Sequence, residues 1–121
     1  MASKNYLLLS ASAVLALIVG LGGAAKLAGV LSAHASFQVL GLPSWFGYFI
    51  GACEVLGAIA LFIRPLSALA AVGIGIIMLG AVYFHLMHTP IAQGAPAIVA
   101  LALSVYVGLK RRTAVFKFAN A

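Results

Sequence analysis

The sequence predicts an all-α integral membrane protein, a four-helix antiparallel bundle in one transmembrane domain over residues 1–121. Three observations predict it. Hydrophobic residues make up 65% of the chain and charged residues 7%, whereas a soluble domain is about a quarter charged. The mean hydropathy is +1.22. The apolar residues also fall into four runs, each within the spanning range of about 17–25 residues. The charges collect where those runs end, so the net charge of +6 points to lipid headgroups rather than nucleic acid.

The first run, Tyr6 to Ala25, reaches about 30 Å as a helix, one bilayer core. The segment Ser32 to Ser36 carries an Ala33-His34-Ala35 pattern that resembles a signal-peptide cleavage site. The preceding run is longer than a signal core, so a retained transmembrane helix is expected. The connection from Lys26 to Ser44 is the longest and is not very polar. Phe37, Trp45, Phe46, Tyr48 and Phe49 suit an aromatic belt at one interface, with part of this stretch lying on the membrane or dipping into it.

The second helix is expected over residues 45–63, the third over 67–87 and the fourth over 91–109, followed by a basic C-terminal tail, 110–121. Arg64-Pro65-Leu66-Ser67 leaves room only for a tight helical hairpin, with Pro65 in a first turn where its missing N–H costs little. Thr89-Pro90 ends the third helix, and Pro90 or Pro96 can start the fourth. Four crossings place Lys4, Arg64, Lys110, Arg111, Arg112 and Lys117 on one side, against Lys26 with His34 and His88 on the other. The positive-inside rule then puts both termini in the cytoplasm and the protein in the inner (cytoplasmic) membrane.

Glu54 is the only acidic residue of the chain. It lies about 13 Å from the outer end of the second helix, near the bilayer midplane. A charge there costs about 3 kcal/mol on insertion scales, so the carboxyl either stays protonated or pairs with a cation. Helical spacing gathers Gly47, Gly51, Glu54, Gly57 and Ala58 on one face, and Gly47 with Gly51 forms a small-xxx-small pair that lets backbones approach. Glu54 should therefore point into the bundle.

Its partners must come from the same end. Lys26 closes the first helix on a face with Gly22, Gly23 and Gly29. His85 lies near the end of the third helix with Met78, Ala81 and Val82 on its face, and His88 follows one turn later. Gln93 opens the fourth helix and offers an amide. Lys26, Glu54 and His85 are the candidate proton-transfer or ligand pocket, because a buried acid, a base and a cation together can move protons or orient a polar head group. Gln93 and Trp45 are the candidate ligand contacts. The alternative is structural: a Lys–Glu pair that fixes helix register, a Lys26 that snorkels, and a His85 that satisfies a backbone carbonyl. No metal site is expected, because His85 and His88 at i, i+3 lack further placed ligands. Cys53 is the only cysteine. It points about 100° away from Glu54 around the helix, reads as a small buried hydrophobe, and cannot form an internal disulfide.

The ordered motifs Gly22-Gly23-Ala24-Ala25-Lys26-Leu27, then Gly41-Leu42-Pro43, then Glu54-Val55-Leu56-Gly57, then a late His85 in the third apolar run resemble the DoxX family of small four-helix membrane proteins. The likeness covers about residues 14–109, and Lys26, Pro43, Glu54, Gly57 and His85 are the matching positions. The resemblance implies the fold, and a kinship with the small subunit of thiosulfate:quinone oxidoreductase and with other parts of membrane redox complexes. More distant relatives are NACHO-type receptor chaperones and the MauE group, whose disulfide chemistry the single Cys53 argues against.

Two main functions follow as expectations. In the first, the protein is a quinone- or lipid-associated component of a membrane oxidoreductase system. Glu54 exchanges protons with the ligand, His85 is the donor and Lys26 the electrostatic partner. With no cysteine set and no Gly-rich nucleotide loop, no intrinsic cofactor is expected, and electrons come from a larger redox partner. In the second, it is a non-enzymatic accessory subunit or assembly chaperone for a larger membrane protein complex, and a homo-oligomer is a further option. A proton-conducting role for Glu54 is a third reading, for which four short helices leave little room.

Overall fold

A computed structural model describes the backbone from Ala2 to Asn120 and the side chains from Tyr6 to Arg112, so the side chains of Lys4 and Lys117 lie outside the described residues. The chain folds as α1 (Ala2–Leu27), α2 (Leu31–Val39), α3 (Ser44–Ala60), a 3-10 turn at Arg64–Leu66, α4 (Ser67–His88), a second 3-10 turn at Ile91–Gly94, and α5 (Ala95–Asn120). Three segments, Tyr6–Leu27, Arg64–His88 and Ile91–Arg112, are long and apolar enough to cross a membrane. The fourth wall of the bundle is α3, with 17 residues. It forms a pair with α2 that is bent by 120°.

α1, α3, α4 and α5 close into a ring, each packed on its two neighbours. Close approaches at glycines fix the register. Gly20 faces Ala58 and Gly23 faces Gly51 and Glu54, so α1 and α3 run antiparallel. Gly57 faces Ile74, joining α3 to α4. Gly94 meets His85, Gly75 meets Ser104 and Gly108 meets Ala71, which makes α4 and α5 antiparallel in the same way. The interior is aliphatic: Leu15, Val19, Leu61, Ile74, Met78 and Val107 are buried together. Leu17, Leu21, Ile76, Leu79, Leu86 and Val105 are exposed around the outside. Lipid is the solvent for that surface, so their exposure carries no penalty. The described basic residues Arg64, Lys110, Arg111 and Arg112 lie at one end of the bundle, while Lys26, His34, His85 and His88 lie at the other.

α1 is short at the histidine end. Its last turn brings Lys26 level with Gly51, about two helical turns below the start of α3 at Ser44. A Schellman motif stops it there: Gly29 takes φ +79°, its N–H donates to the Lys26 carbonyl, and the Val30 N–H donates to the Ala25 carbonyl. α2 fills the space that α1 leaves. It ends in the same way, with Gly41 at φ +72°, the Gly41 N–H donating to the Gln38 carbonyl and the Leu42 N–H to the Phe37 carbonyl. The long connection is thus a helix folded across the end of the bundle.

Other boundaries differ from expectation for local reasons. The second crossing was expected to continue to residue 63 but ends at Ala60. A helix continued through Pro65 would lack an N–H for the Leu61 carbonyl and would press the proline ring against it, and Ile63 is extended at φ −102°, ψ 110°. Pro65 itself enters the 3-10 turn rather than α4. Pro90 likewise precedes a 3-10 turn, and Pro96 sits in the first turn of α5. Lys110, Arg111 and Arg112, expected to begin a tail, are helical residues of α5.

Candidate functional site

Gly23 and Gly51 build the site from the backbone upward. A methyl group added to Gly23 would stand 2.7 Å from the Gly51 carbonyl oxygen, and one added to Gly51 would stand 2.8 Å from the Lys26 Cβ. Only glycine at both places lets α1 and α3 touch backbone to backbone. That contact brings the last turn of α1 beside the middle of α3.

The consequence is an ion pair. The Lys26 ammonium lies 2.9 Å from Glu54 Oε1, with the two side chains 17% and 3% exposed. Oε1 has the ammonium as a close charge partner, and among the described residues it makes no hydrogen bond of good geometry. A buried pair of this kind is held by Coulomb attraction against desolvation of both ions.

A cavity of about 800 Å³ lies above the pair. α2 supplies Ser32 and Ser36 to its wall, α3 supplies Phe46 and Ile50, α4 supplies Ile77 and Ala81, and Lys26, Glu54, His85, His88, Thr89 and Gln93 are its principal polar groups. Four of the five candidates read from the sequence, Lys26, Glu54, His85 and Gln93, therefore line one space. Trp45 does not. It is 61% exposed and packs against Phe46 and Phe49, while Phe46 turns toward the cavity. Cys53, free and half-buried, is also outside the lining.

The two histidines at the end of α4 are each held by a local contact. His85 Nδ1 lies 2.8 Å from the Thr89 hydroxyl, across one turn at the end of α4. The close approach of Gly94 to the His85 Cβ and ring packs the start of the last helix under it, and Phe84 stacks on His88 with ring centroids 4.9 Å apart.

His34, which the sequence placed only on the histidine side, has a definite structural task. Its Nε2 lies 2.8 Å from the Lys26 carbonyl, and its ring packs on Tyr48 at 4.6 Å between centroids. Gly47 leaves the space that this ring fills. His34 thus ties α2 to the end of α1 and lines a separate cavity of about 140 Å³ with Gln38 and Tyr48. The i, i+4 pair Ser32 and Ser36 was the readable signal for the cavity face of α2. Among the described residues, no cluster of three or more His, Cys, Asp or Glu side chains could hold a metal ion.

Comparison with known proteins gives one finding. No curated protein and no solved structure matches the chain. The sequence pattern of the DoxX-like family matches residues 10–107, from within α1 to within α5 and across every candidate site residue. The chain is a multi-pass membrane protein, and it belongs to the DoxX-like family.

Proposed function

We propose that the protein is a quinone-binding component of a membrane oxidoreductase system, with both termini in the cytoplasm. The observation that carries this reading is the single cavity lined by Lys26, Glu54, His85 and Gln93 together with apolar side chains. Its volume of about 800 Å³ is within the range of about 300–1,000 Å³ that suits a small ligand. An apolar wall with a few converging polar groups fits an amphipathic molecule: a head group at the polar end and a hydrocarbon tail toward Ile50, Ile76 and Ile77.

In this reading the quinone head takes two electrons from a larger redox partner and two protons through this chain, leaving as quinol. His85 delivers a proton directly and Glu54 relays one. Lys26 holds the Glu54 carboxylate in place and offsets its charge. The chain contributes proton handling and ligand placement, and the partner contributes the electron carrier.

Trp45 gives a direct test, as the only tryptophan and with its ring 5.9 Å from that of Phe46 on the cavity wall. A short-chain benzoquinone titrated into protein in lipid nanodiscs should quench Trp45 emission to saturation. Ala81→Phe, which fills the cavity from α4, should reduce the quenching to the linear response of quinone dissolved in the bilayer. Equal, non-saturating quenching of both proteins would sink the proposal.

The closed Lys26–Glu54 contact at 2.9 Å favours a second reading, in which the pair locks helix register and the protein is an accessory subunit or assembly factor. Purification from native membranes separates the two. A stoichiometric larger partner and no extractable quinone support the accessory role.

A further inference from the structure

The Thr89 hydroxyl has three neighbours and one proton. His85 Nδ1 lies 2.8 Å away, the His85 carbonyl oxygen 3.2 Å and the Pro90 carbonyl oxygen 3.3 Å. Both carbonyls can only accept. If the hydroxyl gave its proton to Nδ1, its lone pairs would face two carbonyl oxygens with nothing between them. If it gives the proton to one carbonyl, it can accept from Nδ1–H, so two of the three contacts are hydrogen bonds and only the second carbonyl is left without a proton. The neutral ring then carries its proton on Nδ1 and leaves Nε2 as a bare acceptor. Among the described residues Nε2 makes no side-chain hydrogen bond, and His85 is one of the residues that line the cavity.

We infer that Thr89 is a positioning residue that makes Nε2 the working atom of His85, and that the cavity therefore selects an amphiphile whose head presents a hydroxyl donor over one that presents only a carbonyl or ether oxygen. The inference rests on the proposed binding of a quinone-type ligand and states which form the resting site holds: the hydroxyl-bearing, quinol-like one. It also fits the proposed proton transfer. When protonated His85 gives its Nε2 proton to a quinone oxygen, it is left in the tautomer that Thr89 favours, accepting a hydrogen bond from the new O–H.

Two measurements test it, and the first needs no ligand. Nitrogen-15 NMR of histidine-labelled protein, at a pH where the ring is neutral, reports the tautomer; a His85→Gln sample identifies the His85 signals beside those of His34 and His88. The expected spectrum has a protonated Nδ1 and an unprotonated Nε2. Thr89→Ser should keep this pattern and Thr89→Val should shift it toward a mixture. A wild-type ring protonated on Nε2, or a Thr89→Val spectrum like wild type, overturns the assignment even if quinone binds.

The second measurement compares a 4-alkylphenol with its methyl ether, which keeps the tail and the oxygen but loses the donor. Neither is a redox cycler. Wild type and Thr89→Ser should bind the phenol roughly five- to tenfold more tightly than the ether, the worth of one neutral hydrogen bond. Thr89→Val should lose most of that ratio while both compounds still bind. Equal affinities in wild type overturn the ligand preference. Binding of neither compound, with the expected spectrum, counts against the quinone-type ligand and leaves the Thr89 assignment standing.

Discussion

Glu54 is tolerated in an apolar helix because Lys26 reaches it, so the two residues should behave as a unit. Lys26→Met strands a buried carboxylate and should destabilise the protein by about 3–5 kcal/mol. Lys26→Met combined with Glu54→Leu removes both charges and should lie closer to wild type than Lys26→Met alone. Thermal unfolding of the four proteins of this double-mutant cycle in one detergent measures the coupling, and additive effects would show that the pair is not a lock. Buried hydroxyls make the opposite case. Ser67 is fully buried and among the described residues its Oγ has no partner, so Ser67→Ala should be neutral or stabilising by up to about 1 kcal/mol in the same assay. At this scale much of the site was legible. Polar side chains are rare in these apolar runs, so Lys26, Glu54, His85 and Gln93 stood out, and their shared end of the bundle followed from four antiparallel crossings. Thr89 was not legible, because its role depends on the geometry of one helix end. Nor was the outward turn of Trp45, because periodicity does not say which of two adjacent aromatics, Trp45 or Phe46, faces a cavity.

The helix pair α1–α3 is set by two glycines, and its prediction is steric. In Gly23→Ala the new methyl would meet the Gly51 carbonyl oxygen at 2.7 Å, and neither backbone can yield without separating the helices. Destabilisation of about 1–3 kcal/mol is expected. Gly73→Ala is the control: nothing lies within 4 Å of the added methyl, and the better helix former should stabilise by about 0.5–1 kcal/mol. Unfolding by heat or denaturant in detergent decides both, and a Gly23→Ala protein as stable as Gly73→Ala would remove close packing as the reason for the site's geometry. The long spans were legible as elements because hydropathy over a spanning length is a strong signal. α2 was not. None of its residues is fully buried, and its place is decided by where α1 stops. The stop signals Gly29 and Gly41 were visible in the sequence, but a glycine marks a helix end only once the helix before it is known to arrive there.

For the whole molecule, the number of crossings fixes which ends share a side of the membrane. Counting α3 as a crossing gives four, and the start of α1 then faces the same compartment as the Arg64 turn and Arg112. The packing supports that count. α3 runs antiparallel to α1 along the Gly20–Ala58 and Gly23–Gly51 contacts and lies against α4 at Gly57 and Ile74, both neighbours being of spanning length. Its 17 residues reach only about 25 Å, and the turn through Leu61, Phe62 and Ile63 supplies apolar surface for the remainder. With Arg64, Lys110, Arg111 and Arg112 at one end of the bundle and Lys26 at the other, the positive-inside rule favours the proposed cytoplasmic placement of the arginine end. In a Cys53→Ser background, Arg64→Cys and Arg112→Cys should react with a membrane-impermeant maleimide only from the cytoplasmic face. Gln38→Cys, on the exposed side of α2, should react only from the opposite face. Labelling of Gln38→Cys and Arg64→Cys from the same side would mean that α2 and α3 form a re-entrant hairpin and that the chain crosses three times, which would overturn the four-crossing count.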